Sequence, residues 1–256
     1  MEACDYMTEI QVKRTEFLRF LTSFGDVEDL RIDVAGSRLT AEVGAITHYL
    51  RKSLIVDPSE IKTEGKLDIS DLKKVISFCK KVKGEEVIVR QSGSGKTLYL
   101  RLEKTKLQLP TADIITSHSR TPMINRMLDE TISNMWSTWN KTPLEVHGDI
   151  TVKDIKNAGK MNDITGKHGA KVVVNGEEKE FSIHLGQKHT PRLFITTPVT
   201  NAQGPHNNIE SQFGYWFGDC INFLDNEAAS FHMGEQLPLF LEQSNTLLVI
   251  VNQKVD

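Results

Sequence analysis

The stretch Arg90-Gln-Ser-Gly-Ser-Gly-Lys-Thr-Leu-Tyr-Leu100 is where phosphate chemistry would first be sought. A nucleotide-binding loop of the form G-x-x-x-x-G-K-[ST] sits between a strand and a helix, so that backbone N–H groups and the helix N-terminus converge on the phosphates. Gly95, Lys96 and Thr97 match, but Arg90 stands where the first glycine belongs. The residues that follow, Thr97 to Leu102, alternate apolar and polar with period two, the mark of a half-buried strand. Val87-Ile-Val89 on the other side also reads as a strand, so Ser92 to Gly95 is expected to be a hairpin tip. A nucleotide hydrolase using Gly93–Thr97 is kept as a remote alternative.

Other catalytic groupings are sparse. His184 and His189 are five apart, which is no metal-ligand spacing of note, and neither His-x-x-x-His nor Gly-x-Ser-x-Gly occurs. Cys4, Cys79 and Cys220 are odd in number and widely spaced, against a disulfide framework or a cysteine zinc site; Cys79 and Cys220 read as small buried apolar residues. No metal, cofactor or enzymatic activity is expected. The longest aliphatic run, Leu247–Val251, is far short of a membrane span, and the first ten residues lack a signal-peptide pattern, so an intracellular protein, of cytoplasm or nucleus, is expected.

What remains as candidate chemistry is cationic. The net charge is −3, yet the lysines are clustered, and distribution matters more than the sum for an acidic partner such as nucleic acid. Leu72 to Val82 reads as a helix with Leu72, Val75, Ile76 and Cys79 on its buried stripe and Lys73, Lys74, Lys80 and Lys81 outside. Ser70 is the expected N-cap, with Asp71 in the first turn. Thr151 to Ile164 reads as a second such helix, with Lys153, Lys156 and Lys160 opposite Val152 and Ile155. Each set is also compatible with an ordinary solvated helix face.

The elements that would position these lysines recur. In the first half, a strand at Glu9–Lys13 precedes a helix over Thr15–Phe24, with Phe17, Phe20, Leu21 and Phe24 on one face and Gly25 as its stop. Strands follow at 30–34, 38–43, 49–56 and 66–69, then the lysine helix, the hairpin and a strand at 105–109. In the second half, Leu144–Ile150 leads into the helix over 151–164, then strands at 170–174, 180–185 and 192–197, and a polar loop at 201–208. A short helix near 216–224 and strands at 229–233, 237–242 and 246–252 complete it. The two halves share one architecture, which is the sequence's most informative feature. Between them, Ala112–Pro143 is too long for an ordinary connection of roughly 4–6 residues. It places Met123, Ile124, Met127, Leu128, Ile132, Met135 and Trp136 at helical spacing.

Several stretches resemble the DNA sliding clamps of the proliferating cell nuclear antigen type. Residues 36–54, "GSRLTAEVGAITHYLRKSL", resemble the Gly-x-x-Leu segment and following strand of the first clamp domain, and "KLDISDLKKVISFCKKV" resembles that domain's second helix. The closing stretch "AASFHMGEQLPLFLEQSNTLLVIVNQ" resembles the family's final strands, with Pro238-Leu-Phe-Leu-Glu242 at its centre. The resemblance implies an α+β fold of two tandem clamp domains, 1–111 and 144–256, each with two helices packed on antiparallel sheets, joined by a connector over 112–143. Three chains would make a pseudo-sixfold ring around duplex DNA, acting without sequence preference as a processivity factor for a DNA polymerase and other clamp-binding proteins, and placed by a clamp loader.

Carried onto this sequence, the resemblance implies a DNA-facing set of Arg14, Arg19, Lys73, Lys74, Lys80, Lys81, Lys153, Lys156 and Lys160. The helix near 216–224 departs from it, offering Asp219 and Asn222 and no cation. A partner-peptide pocket would involve Ile46, Tyr49, Pro238, Leu239 and Ile250, for which core packing is the alternative. The connector departs by carrying an expected amphipathic helix with Trp136 and Trp139, which could cover the pocket, enlarge it or bind another subunit. Ring closure would pair Lys104, Thr105, Lys106 and Leu107 of one subunit with Phe181, Ser182 and Ile183 of the next. The alternatives within binding proteins are a subunit of a heteromeric checkpoint-type clamp and a monomeric, non-encircling processivity factor.

Overall fold

In the computed structural model, which describes residues 6–111, 121–161, 164–166, 168–186, 189 and 191–253, the chain divides into two units. Unit 1 comprises Met1–Val43 and Arg51–Ser119; unit 2 comprises Gly44–Leu50 and Arg120–Asp256.

Unit 1 contains β1 (Tyr6–Lys13), α1 (Arg14–Thr22), β2 (Leu30–Ala35), β3 (Arg38–Gly44) and the later part of β4 (His48–Ile55). A 3-10 turn at Pro58–Glu60 leads to β5 (Ile61–Thr63), β6 (Gly65–Ile69), α2 (Leu72–Lys81), β7 (Glu86–Ser92), β8 (Thr97–Leu102) and β9 (Thr105–Pro110). Its strands run in the orders β5-β1-β7-β8-β9 and β6-β2-β3-β4. Alternation dictates the layering: Leu30, Ile32 and Val34 on β2, and Leu39 and Ala41 on β3, point inward and are buried. The polar faces carry cross-strand ion pairs, Arg31 Nε to Asp68 Oδ1 (2.7 Å) and Arg51 Nε to Glu42 Oε1 (2.7 Å).

The two helices pack together through Phe17, Phe20 and Leu21 of α1 and Leu72, Val75 and Cys79 of α2. Phe24 is also fully buried and meets Phe20 edge-on at 5.3 Å. The N-cap of α2 is Asp71, whose carboxylate accepts from Lys74 N (2.9 Å), one residue beyond the expected Ser70. A carboxylate in that place also meets the helix dipole, which a hydroxyl does not. The hairpin tip expected at Ser92–Gly95 is present between β7 and β8: Gly95 adopts φ +71° and donates to Ser92 O (2.8 Å), and β8 follows with no helix, so the strand-to-helix turn of a phosphate-binding loop is missing.

Unit 2 begins with Gly44–Leu50, whose last three residues open β4 beside the final strand; Val251 N donates to Thr47 O (3.0 Å). It then contains α3 (Thr121–Ser133), β10 (Thr138–Trp139), β11 (Thr142–Pro143), β12 (Val146–Thr151), α4 (Val152–Ile155), α5 (Asn157–Met161), β13 (Ala170–Asn175) and β14 (Glu180–Leu185). There follow β15 (Leu193–Pro198), β16 (Thr200–Gln203), β17 (Asn208–Phe213), α6 (Phe217–Ile221), β18 (Ala228–Met233), β19 (Leu239–Gln243) and β20 (Thr246–Ile250). The strand orders are β16-β12-β18-β19-β20 and β17-β13-β14-β15.

These orders reproduce those of unit 1 strand for strand, with β16 in the place of β5, β20 of β9, β17 of β6 and β15 of β4. Three local expectations are corrected. The helix over 151–164 is two short pieces, α4 and α5, interrupted at Lys156; residues 162 and 163 of that expectation lie outside the described residues. The polar loop at 201–208 contains most of β16, and β17 extends from its end. Met135 and Trp136 are beyond α3, in a turn where both have positive φ (52° and 59°), so the helical spacing carries through Ile132 and the helix stops at Ser133. The first part of the expected connector, 112–120, lies outside the described residues, as does Cys4.

Candidate nucleic-acid, subunit and partner surfaces

The basic residues fall into two groups by what their side chains touch. On α2, Lys73, Lys74, Lys80 and Lys81 are all exposed, because the buried stripe takes every apolar position of the helix but Ile76 and Phe78, which are half-buried. Lys80 and Lys81 occupy the last turn, where cations favour the helix dipole. Lys74 reaches Asp71 (2.8 Å) and Lys73 reaches Asp26 (3.4 Å), both on the surface, where such pairs contribute little and exchange readily. On α4 and α5, Lys153 and Lys160 are exposed and Lys156 is half-buried, held above Val152, Ile155 and Ala158 in the core.

Arg14, in the expected DNA-facing set, is engaged within the fold. Its Nε donates to Gly84 O (2.7 Å) and its Nη1 to Cys79 O (2.9 Å), so the guanidinium satisfies one carbonyl in the last turn of α2 and one in the loop that follows it. Arg19 is on the exposed side of α1. On α6, Asp219 and Asn222 are exposed and no cation is present.

The subunit-contact expectation is half corrected. β9 is an edge strand, with Lys104, Thr105 and Lys106 exposed and Leu107 half-buried. β14 is no edge: Phe181, Ser182 and Ile183 pair with Val174, Val173 and Val172 of β13 on one side and with Thr197, Thr196 and Ile195 of β15 on the other. Phe181 and Ile183 are core residues with no exposed surface. The edge is β15, which exposes Phe194 (59%) and Thr196. The signal that identifies it is the internal repeat, since β15 corresponds to β4, and position along the chain alone did not reveal it.

The expected partner pocket also resolves differently. Tyr49, Pro238, Leu239 and Ile250 are buried, and Ile46 alone is exposed, at 72%. Leu239 and Ile250 are paired across β19 and β20, while Phe240 and Val249, the next pair, point to the opposite face by the period-two rule. Phe240, Val249, Leu247 and Tyr49 form an apolar seat, and α3 with the β10–β11 hairpin fills it: Leu128 and Leu144 are buried there, with Ile124, Trp136, Trp139 and Leu237 packed around them. Leu239 and Ile250 face the other way, where α6 packs on β20.

The tryptophans make the most specific contacts of this cap. Trp136 stacks on His232 (4.4 Å between ring centroids, planes 8° apart), and both indoles meet Phe240 edge-on at 5.5 and 5.0 Å. Burial lowers the His232 pKa to about 4, aided by His147 and opposed by Asp149, so the ring is neutral at physiological pH; its Nδ1 is buried without a partner. Asp149 itself is held below the usual carboxylate range by hydrogen bonds from Ser230 and Asn201. Burial raises the Cys79 thiol to about 11 and the Cys220 thiol to about 12. Among the described residues no group of three or more His, Cys, Asp or Glu side chains could hold a metal ion, and no helix is long and apolar enough to cross a membrane.

No protein-family model matches the sequence, and no curated protein matches it. The structure, however, is similar over 96–100% of the chain to solved sliding clamps. PCNA from Thermococcus kodakaraensis covers 96% of this chain and 100% of its own, with a TM-score of 0.67 at 14% identity. The DNA polymerase III beta subunit of Thermotoga maritima covers 100% of this chain and 68% of its own, with a TM-score of 0.73 at 11% identity. The Helicobacter pylori beta clamp in complex with 5-chloroisatin covers 97%, with a TM-score of 0.69 at 13% identity, and this chain spans 64% of that protein's length. The likeness is one of fold: this chain has the α+β fold of the DNA sliding clamps, divergent in sequence, with two units of one repeated topology.

Proposed function

We propose that this protein is a DNA sliding clamp, a non-enzymatic processivity factor whose closed ring encircles duplex DNA and tethers a polymerase and other DNA enzymes. In this reading 1–111 and 144–256 are the clamp domains and 112–143 the connector. The observation that carries it is the relation between the strand edges. Within the chain, β20 lies beside the start of β4. Their repeat counterparts, β9 and β15, are both edges, so a second copy can join β9 to β15 as β20 is already joined to β4. Such a contact is head-to-tail, and a head-to-tail contact makes a ring when its rotation closes. Three two-unit chains give the six-domain ring of the sliding clamps.

A ring holds DNA by topology and needs only weak, exchangeable contacts, which reconciles a net charge of −3 with a DNA partner. Arg19, Lys73, Lys74, Lys80, Lys81, Lys153, Lys156 and Lys160 are assigned to phosphate contact. A H. pylori beta clamp structure holds a DNA ligase peptide, and this likeness supports docking of partner peptides here, on the face of unit 2 that bears Ile46 and the α3 cap. A clamp loader would open the ring for DNA. The second reading, a subunit of a mixed ring or a non-encircling factor, is favoured by α6, whose Asp219 offers phosphate nothing.

Topological retention tests the leading reading. Cysteines placed at Lys106 and Thr196 in a Cys4→Ser background, mixed with nicked circular plasmid and bridged by a flexible bis-maleimide, should leave protein that resists a high-salt wash and is released when the plasmid is cut. Equal release from circular and linear DNA would refute encirclement.

A further inference from the structure

The cap on unit 2 is built as a separable piece. Its turn and hairpin hydrogen bonds close within the segment itself: Trp136 N to Thr131 O (2.9 Å), Ser137 N to Asn134 O (3.1 Å) and Leu144 N to Ser137 O (3.0 Å). β10 and β11 pair only with each other, as a two-stranded sheet apart from the rest. The apolar contact between the cap and its seat of Tyr49, Phe240, Leu247 and Val249 is made by Ile124, Leu128, Trp136 and Trp139.

The seated state carries local costs. Met135 and Trp136 have positive φ (52° and 59°), a conformation that disfavours residues bearing a Cβ and persists where surrounding contacts hold it. Asn140 and Lys141 (47° and 67°) are the central residues of the two-residue β10–β11 turn, which takes positive φ at both. His232 Nδ1, in the ring on which Trp136 stacks, is buried without a hydrogen-bond partner among the described residues. The seat meanwhile accepts a defined shape. Two indoles three residues apart both pack edge-on against Phe240, one of them stacked on His232.

We infer that Thr121–Pro143 is a displaceable intramolecular cap, which leaves the Tyr49–Phe240–Val249 seat when a partner segment carrying two aromatic side chains about three residues apart takes its place. The inference rests on the proposed docking of partner peptides on this face, and it adds that docking is a competition with the chain's own Trp136 and Trp139. The cap's remaining exposed apolar residues, Met123 (56%), Ile132 (41%) and Met135 (89%), would move with it.

Hydrogen exchange on the unmodified full-length protein is the first test. Amides of α3 should exchange at least about 100-fold faster than those of β19 and β20, by local opening that leaves the strands closed. Exchange of cap and strands in one common step would overturn the inference. The second test uses a fluorescein-labelled synthetic peptide of residues 121–144 as the probe. It should bind the Trp136→Ala/Trp139→Ala protein at least about tenfold more tightly than the unmodified protein, because the seat is vacated; equal binding to both, or none to the variant, would overturn the inference. If that variant fails to fold, the exchange measurement decides alone. A cap that opens locally in a protein that never assembles would leave this inference standing and remove the clamp reading, and an assembled ring whose cap opens only with β19 and β20 would do the reverse.

Discussion

The indole of Trp136 lies flat on the imidazole of His232, with ring centroids 4.4 Å apart and planes 8° from parallel. Burial keeps the histidine neutral, lowering its pKa to about 4 from an ordinary 6.5. A group whose native pKa is depressed gives stability that is fully present above its unfolded pKa and is lost as pH falls through the native one. The protein should therefore lose stability between about pH 6.5 and 4. The groups facing the ring are His147, whose charge would oppose protonation, and Asp149, which would favour it. Denaturant midpoints across this range should fall less for His232→Phe than for the unmodified protein; identical slopes would refute the assignment.

Removing the ring on the other side of the stack has a different consequence. Trp136→Ala takes away a contact with His232 and one with Phe240, and should cost about 3 kcal/mol in urea unfolding. The figure is at the low end for a large aromatic because the indole is half-exposed. A change under about 0.5 kcal/mol, the range of ordinary surface substitutions, would show that the cap is not seated in solution.

Arg14 and the lysines of α2 should separate cleanly in experiment. Arg14→Ala leaves the Cys79 carbonyl of α2 and the Gly84 carbonyl of the following loop without their charged donor and should cost about 1.5–3 kcal/mol of stability. Lys73→Glu and Lys80→Glu should each cost under about 1 kcal/mol, yet lower the salt dependence of DNA binding by about one counterion per lost phosphate contact. Lysine reversals that leave the salt slope unchanged would remove α2 from the DNA-facing surface.

Both buried thiols should be inert. With Cys79 raised to about 11 and Cys220 to about 12 by burial, neither supplies thiolate near pH 8, and alkylation by iodoacetamide should wait for unfolding. The same shifts give stability that is present below about pH 9 and lost as pH climbs toward 11 and 12, since the unfolded chain releases these protons first. Labelling of either site at the rate of a free thiol, in native protein, would contradict the burial.

Much of the fold was legible because it rests on short-range rules. Alternation marked β2, β3, β8, β13 and β14, and the 3.6-residue stripe of Leu72, Val75 and Cys79 marked α2. The misreadings have a shared cause, which is that contacts distant in sequence decided them. The helical pattern of 151–164 holds locally, yet the chain breaks at Lys156 into two short pieces that pack separately, α4 on β15 and α5 on α6. The hydrophobic run from Met123 to Trp136 matched one helix, although Met135 and Trp136 leave it and Trp136 reaches His232 and Phe240, about a hundred residues on. The edge role of β14 was carried over from the resemblance, and only the full strand order shows it enclosed by β13 and β15. The lysine helices were readable as exposed faces, while the engagement of Arg14 with Cys79 and Gly84 carbonyls was not, because no spacing rule links residues 65 and 70 apart.

Ring closure through β9 and β15 is the central claim, and solution mass tests it most directly. Light scattering over a dilution series should give about 87 kDa, three times the 28.9 kDa chain, at all but the lowest concentrations. A mass of 28.9 kDa at every concentration would contradict the self-closing ring.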